Sequence, residues 1–196
     1  MPIPPKKVKL AQVVVAPILH SLFPECWIRE SRRQSIKVYR LGINCGLRIS
    51  DLLKLSIRDV MDDRGRVRDR ISIRETKTGK SKDFPVGDTA RKAIMEYLGT
   101  RAYTLDDPLF LARKGSHALK RQQAYKIIND AARAVGIQEK IGTHTLRKTF
   151  GYHAYQTGVS LAELQKLFNH SAPSVTLSYI GITQDELDGV YLNLNL

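Results

Sequence analysis

The sequence predicts an α+β fold, mainly α-helical with one small antiparallel β-sheet. Helix-start signals punctuate its second half: Ser160 with Glu163, Thr183 with Glu186, and Pro173. Amphipathic stretches with helical spacing cover Arg29 to Leu41 and Leu119 to Val135. A strand signal is confined to residues 66–86, where Val67, Ile71 and Ile73 precede a Thr76–Lys80 turn and Phe84 and Val86 follow it.

In chain order, apolar residues dominate from Lys9 to Leu22, with Pro17 interrupting a first helix. The Arg29–Leu41 helix has Ile36 and Tyr39, continued by Ile43, on its apolar face. Arg29, Arg33, Lys37 and Arg40 form a basic stripe on it. Gly42 and Gly46 break the pattern, and Leu47 to Leu55 reads as another short helix. After the hairpin, Asp88 is a candidate cap for a helix running to Leu98. Pro108–Ala112 is an extended piece, Leu119–Val135 a helix, and Thr143 opens another through Tyr155. Ser160 starts the next, Pro173 a short one carrying Tyr179, and Thr183 a final one. A length of 196 residues fits one domain, and 42% apolar residues suffice for a core. There is no internal repeat and no low-complexity tract.

Charge narrows the partner. Thirty-two Lys and Arg against 19 Asp and Glu leave +13, which points to a polyanion, nucleic acid ahead of an anionic membrane surface. The surplus is concentrated before residue 99, whereas the tail from Thr183 to Leu196 has three acids and no base. No apolar run approaches the ~18 residues of a membrane span, and the Pro-rich start lacks the apolar stretch of a secretion signal. A soluble protein without a membrane partner is expected. Cys26 and Cys45 form no CxxC pair and no Cys/His cluster, so they are expected to be buried and reduced, with neither a disulfide framework nor a metal site. No phosphate-binding glycine loop is present and no cofactor is expected.

Three clusters carry chemistry. Arg48 and Asp51 lie three apart, so on a helix they share a face and can pair. His144 and Arg147 have the same spacing. Asn169-His170 is followed nine residues after His170 by Tyr179. Taken singly, each has an ordinary explanation: a surface ion pair, two unrelated polar residues on a helix, a half-buried packing tyrosine.

Together, over roughly residues 35 to 182, these clusters resemble the tyrosine recombinase (phage integrase) family. The ordered set is Arg48, Lys77, His144-x-x-Arg147, His170 and Tyr179, with a basic hairpin after the first arginine. The steps of 23 residues from Arg147 to His170 and nine to Tyr179 match the family's usual spacing. The resemblance implies the tyrosine recombinase catalytic-domain fold and a site-specific DNA recombinase working through a 3′-phosphotyrosyl intermediate, in integration, excision or inversion. A type IB topoisomerase-like enzyme, or a non-catalytic DNA-binding module on the same fold, is the alternative.

It also implies roles. Tyr179 is the nucleophile, Arg48 and Arg147 fork across the phosphate oxygens, and His170 donates to the same oxygens. With an ordinary pKa near 10, only ~0.1% of a tyrosine is phenolate at pH 7, a deficit of ~4 kcal/mol, so a base is needed and His144 is the candidate. Lys77 is the general acid for the leaving 5′-oxygen, with Lys80 and Lys82 as neighbouring rivals, and Asp51 orients Arg48. Arg29, Arg33, Lys37, Arg40, Thr76, Lys80, Lys82, Lys120 and Arg121 are expected on DNA. The arginines supply the positive charge that a metal gives other phosphoryl-transfer enzymes. The chain departs from the family pattern at Asp51, more often Glu, and at Phe168-Asn169, more often Leu-Gly; Asn tolerates the left-handed backbone that Gly supplies.

The implied organisation is a single catalytic domain over 1–196, with about 1–28 as N-terminal segment and first helix. Residues 183–196 are expected to form a C-terminal helix or tail that either docks on a neighbouring subunit or folds back on its own catalytic domain. No separate N-terminal DNA-clamping domain is expected in these 196 residues, which fit either a truncated catalytic domain or a naturally compact recombinase like the fimbrial-switch invertases. The implied partners are double-stranded DNA with inverted-repeat sites, three further copies in a homotetramer, and an accessory DNA-bending protein, in the cytoplasm at the nucleoid.

Overall fold

In a computed structural model that describes residues 40–112, 117–134, 136–138 and 140–182, the alternating stretch forms a two-stranded antiparallel sheet. Strand β1 (Arg70–Arg74) pairs with β2 (Ser81–Pro85), Ile71 opposite Phe84 and Ile73 opposite Lys82. The pleat puts these four residues on the face turned to the core, where Ile71 is fully buried and Ile73, Lys82 and Phe84 partly. The connecting turn closes with the Gly79 N–H on the Glu75 carbonyl at 2.9 Å, and Gly79 takes the left-handed φ of 66° that this turn requires.

Helical residues 40–45 precede α1 (Ile49–Leu52) and α2 (Ile57–Val60). Beyond the hairpin come α3 (Asp88–Leu98), α4 (Arg121–Ala134), α5 (Thr145–Gln156), α6 (Leu161–Phe168) and α7 (Pro173–Ile180). The expected helices before residue 40, and the one starting at Thr183, lie outside the described residues, as do Arg29, Arg33, Lys37 and Cys26.

Several expectations hold at residue level. Ser160 and Glu163 form a capping box, the Glu163 carboxylate accepting from the Ser160 N–H at 3.0 Å. Pro173 occupies the first turn of α7, where its missing N–H costs nothing. Residues 108–112 are extended, with isolated bridges Ser56–Pro108 and Leu111–Ala118.

Others are corrected. The Leu47–Leu55 helix shrinks to the four residues of α1, because Arg48 is extended (φ −65°, ψ 143°) and forms its N-cap. Gly87, not Asp88, caps α3; Asp88 lies in the first turn, where its charge favours the helix dipole. His144, not the buried Thr143, caps α5. Helix α2 was not anticipated. It is short, and its box uses Asp59, whose carboxylate accepts from the Ser56 N–H at 2.8 Å, where the usual signature has Glu or Gln.

Two apolar clusters result. The larger joins Leu41, Leu47, Leu52, Ile57, Ile71, Ile94, Phe110, Ile128 and Leu146. The smaller joins Leu164, Phe168 and Ile180, with Phe150, Leu167 and Tyr179 packed against it. Helix α5 belongs to both, Leu146 in the first and Phe150, one turn on, in the second. It carries Gly151 where α6 and α7 press closest: a Cβ there would lie 2.6 Å from the Phe168 ring and 2.7 Å from Ile180. Gly151→Ala should therefore cost about 1–3 kcal/mol by overpacking. Urea unfolding measures this, and a variant as stable as the parent would show that α6 and α7 are not held this tightly.

Candidate active site

Arg147 lies one turn into α5 and is 2% exposed. A buried guanidinium must find acceptors, and this one takes two backbone carbonyls from distant segments. Nη1 donates to Gly46 at 2.7 Å and Nη2 to Phe168 at 3.1 Å. The guanidinium carbon sits 4.6 Å from the centre of the Phe168 ring, within cation–π range. Gly46 lies two residues before Arg48, and Phe168 two before His170.

Arg48 projects from the N-cap of α1, its side chain 15% exposed, and Nη1 meets Glu75 Oε1 at 2.7 Å. Glu75, at the mouth of the hairpin turn, is 1% exposed. Its other oxygen accepts from the Thr78 hydroxyl at 2.7 Å and the Asn169 side-chain amide at 3.3 Å. Burial pushes the Glu75 carboxyl up, but Thr78 and Arg48 outweigh it and hold it below the ordinary carboxylate value. Asp51 therefore does not pair with Arg48 as their spacing suggested. With Arg48 extended and outside the helix, the carboxylate that reaches it is Glu75, and Asp51 accepts the Thr76 N–H at 3.0 Å instead.

Tyr179 is near the end of α7, half-buried against Phe168 (ring centres 5.5 Å) and His170 (5.0 Å), both edge to face. Burial pushes its phenol up; Arg147 and Arg48 pull it back without cancelling the rise. The His170 Nδ1 lies 3.0 Å from the hydroxyl of the buried Thr176, which orients the ring and leaves Nε2 as the nitrogen available to a ligand. Asn169, between Phe168 and His170, takes the left-handed conformation (φ 54°) anticipated for it. Both histidines are pushed down, by burial first: His144 also by Arg121, Lys148, Arg147 and Arg48, and His170 by Arg147 and Arg48. Near neutral pH both are uncharged, which an imidazole needs in order to accept a proton.

The structure thus brings Arg48, Arg147, His170 and Tyr179 together, with His144 exposed at the N-cap of α5 and within their field. Lys77 is exposed in the turn between Glu75 and Thr78. Thr76, also exposed, is pinned through its N–H. Lys80 reaches Asn169 Oδ1 at 3.5 Å. Lys82 is not at the surface where a DNA contact was expected. It stands on the core-facing side opposite Ile73, and burial, then Arg147, lower its pKa. Arg40 is turned to Glu96 of α3 at 3.4 Å. Lys120 and Arg121 are exposed at the start of α4. Among the described residues no group of His, Cys, Asp or Glu is placed to hold a metal ion, and no helix is long and apolar enough to cross a membrane. Cys45 is a free, buried thiol pushed up to about 11, chiefly by burial.

Sequence reasoning missed Glu75, Thr176 and Lys148, whose ammonium lies 5.5 Å from the Tyr179 ring centre. Glu75 and Thr176 carried no signal, since their partners are far along the chain or set by a turn. Lys148 had one: a second cation beside Arg147.

A mostly helical domain that gathers two arginines, two histidines and a tyrosine from separate segments defines the catalytic-domain class of the tyrosine recombinases. The chain belongs to the phage integrase family, whose model matches residues 28–186. It is 39% identical over 165 residues to a probable integrase/recombinase YoeC of Bacillus subtilis, covering 84% of this chain and 87% of that one. It is 32% identical over 160 residues to the type 1 fimbriae regulatory protein FimE of Escherichia coli, covering 80% and 78%. With a tyrosine recombinase XerC of Thermodesulfovibrio yellowstonii it shares 32% over 162 residues, but spans about half (52%) of that longer chain. The fold is that of XerA recombinase, with a TM-score of 0.69 at 21% identity, covering 100% of this chain and 65% of that one.

The environment of Tyr179 gives a direct prediction. In the protein without DNA its phenol should ionise above the ordinary tyrosine value near 10, because burial outweighs the two guanidiniums. The phenolate absorbance of the parent minus that of Tyr179→Phe, followed against pH, isolates this group. A difference midpoint at or below 10 would contradict the geometry.

Proposed function

We propose that the chain is a site-specific DNA recombinase that cleaves and rejoins DNA through Tyr179. One observation carries the reading: the Tyr179 ring packs 5.0 Å from the His170 ring and 5.5 Å from the Phe168 ring, whose other contact is the buried Arg147 guanidinium, 4.6 Å from its centre. A nucleophile is thereby held where two guanidiniums and an imidazole can receive a phosphate. Relatives named as integrase or recombinase support the same activity.

In the proposed step Tyr179 Oη bonds to phosphorus, the bond from phosphorus to the 5′-oxygen breaks, and the 3′-phosphate stays on the tyrosine. His144, uncharged near pH 7, takes the phenol proton, and Lys77 gives one to the leaving 5′-oxygen. Arg48 and Arg147 stabilise the charge on the non-bridging oxygens, and His170 donates through Nε2. Attack on the phosphotyrosine by a second 5′-hydroxyl reverses the sequence and joins new partners. The proposed substrate is duplex DNA with inverted-repeat sites, held by a homotetramer with an accessory bending protein, and the outcome is integration, excision or inversion. The exposed Lys120, Arg121 and Lys80, with Lys77, are the described cations proposed to follow the backbone.

Two experiments test this. A nicked suicide duplex carrying the site should trap a denaturation-resistant adduct through a 3′-phosphate on Tyr179, and Tyr179→Phe should bind but give none. An adduct at another residue would overturn the assignment. Lys77→Ala should cleave ordinary DNA roughly 10²–10⁴-fold more slowly, the usual loss of a general acid. A 5′-bridging sulfur, which leaves without a proton, should largely restore it. Rescue of Lys80→Ala or Lys82→Ala instead would move the acid.

A further inference from the structure

We infer that Glu75 is a positioning residue of this centre: a buried carboxylate that sets Arg48, the Lys77 turn and the His170 turn relative to one another. The inference rests on the recombinase reading above and adds a group that neither the motif nor its spacing supplies. Glu75 is 1% exposed, yet both its oxygens are engaged by different segments. Oε1 meets the Arg48 guanidinium at 2.7 Å. Oε2 accepts from the Thr78 hydroxyl at 2.7 Å, inside the turn that bears Lys77, and from the Asn169 amide at 3.3 Å, one residue before His170. Lys80 adds a bond from the turn to Asn169 Oδ1 at 3.5 Å.

These partners separate two roles for a carboxylate beside a phosphate-binding arginine. A carboxylate that merely fills the phosphate's place would compete with DNA, and its removal would tighten binding. Glu75 instead has its second oxygen committed to the hairpin and to the cap of α6, so it belongs to the frame and remains when DNA arrives. Charge points the same way. Arg48, Arg147, Lys82 and Lys148 converge here, and the described buried carboxylates among them are Asp51 and Glu75. Asp51 is directed to a backbone N–H. Glu75 is therefore the carboxylate that fixes the direction of the Arg48 fork, and small misplacements of such a group cost rate out of proportion to binding.

The test uses the full chain and a suicide duplex captured from a randomised pool by adduct formation with the parent protein. Failure of the parent to capture any duplex defeats the recombinase reading; the results below concern Glu75 alone. Glu75→Gln keeps the shape and an acceptor but loses the charge. It should bind the duplex with unchanged affinity and form the adduct roughly 10- to 100-fold more slowly in a single turnover. Combined with Arg48→Ala it should add little to the loss from Arg48→Ala alone, because it acts through that guanidinium. Tighter binding with an undiminished rate, or a loss fully additive with Arg48→Ala, would overturn the inference. Should Glu75→Gln not fold, Thr78→Val removes the hydroxyl on Oε2 and leaves the ion pair. It should slow adduct formation several-fold at unchanged affinity, and an unchanged rate overturns the inference equally.

Discussion

Two hydrogen bonds from the Arg147 guanidinium, to the carbonyls of Gly46 and Phe168, hold together chain segments more than a hundred residues apart in sequence. The group lies between the two apolar clusters, where a charge would be intolerable without these acceptors and the Phe168 ring beneath it. Removing one side of such an arrangement leaves buried groups unpaired, at a cost of about 1–3 kcal/mol each and more where a charge is involved. The same bonds fix where Arg48 and His170 begin, since each follows one of the accepting carbonyls by two residues. A single side chain is thus a structural staple and, in the proposed mechanism, a ligand of the phosphate. The motif has no separate scaffold to be grafted onto.

Around that staple the site is over-constrained in position and balanced in charge. Burial first, and then the excess of cations over carboxylates, depresses both histidines and keeps them able to accept protons. The same excess is not enough to offset burial at Tyr179, so the phenol rests protonated without DNA. A phosphodiester adds negative charge and so does not by itself favour the phenolate. In the proposed step activation comes from a base that takes the proton as the bond to phosphorus forms, the part proposed for His144. Burial, against the pull of the two guanidiniums, keeps the Tyr179 phenol protonated at rest.

Much of this was legible in the sequence, for physical reasons that differ between elements. Helices α6 and α7 were readable because their start signals are local: a Ser160–Glu163 box and a proline whose ring fits only the first turn. The hairpin was readable from its alternation. The proposed site residues were readable as an ordered set because the resemblance rests on their order and spacing, which are local features of the sequence. The partners of those residues were not. Arg48 and Asp51 at a three-residue spacing pair only if both are helical, and one extended residue at the N-cap sends Arg48 to Glu75 instead. Lys82 looked like one more basic residue of an exposed hairpin until the register placed it opposite Ile73, facing inward. Period-two alternation decides that face, and a one-residue change in where the strand begins reverses it.

The packing of α5, α6 and α7 explains how Tyr179, the last of the proposed site residues in the chain, is held by a short helix. Gly151 lets Phe168 and Ile180 approach the backbone of α5, and the left-handed turns at Asn169 and Gly181 end α6 and α7 abruptly. Tyr179 packs on Phe168, whose carbonyl and ring also engage Arg147. Phe168 is therefore a shared wall: one face orders the cation, and an edge contact orders the phenol that the cation must meet. In a family pattern where leucine is more usual at this position, the aromatic ring gives the arginine a quadrupole as well as an apolar surface. Cation–π contacts of this kind contribute on the order of 0.5–2 kcal/mol, growing as the cation is desolvated, and Arg147 is nearly fully so. The departure from the pattern at Phe168 thus strengthens the contact on which the site's geometry depends.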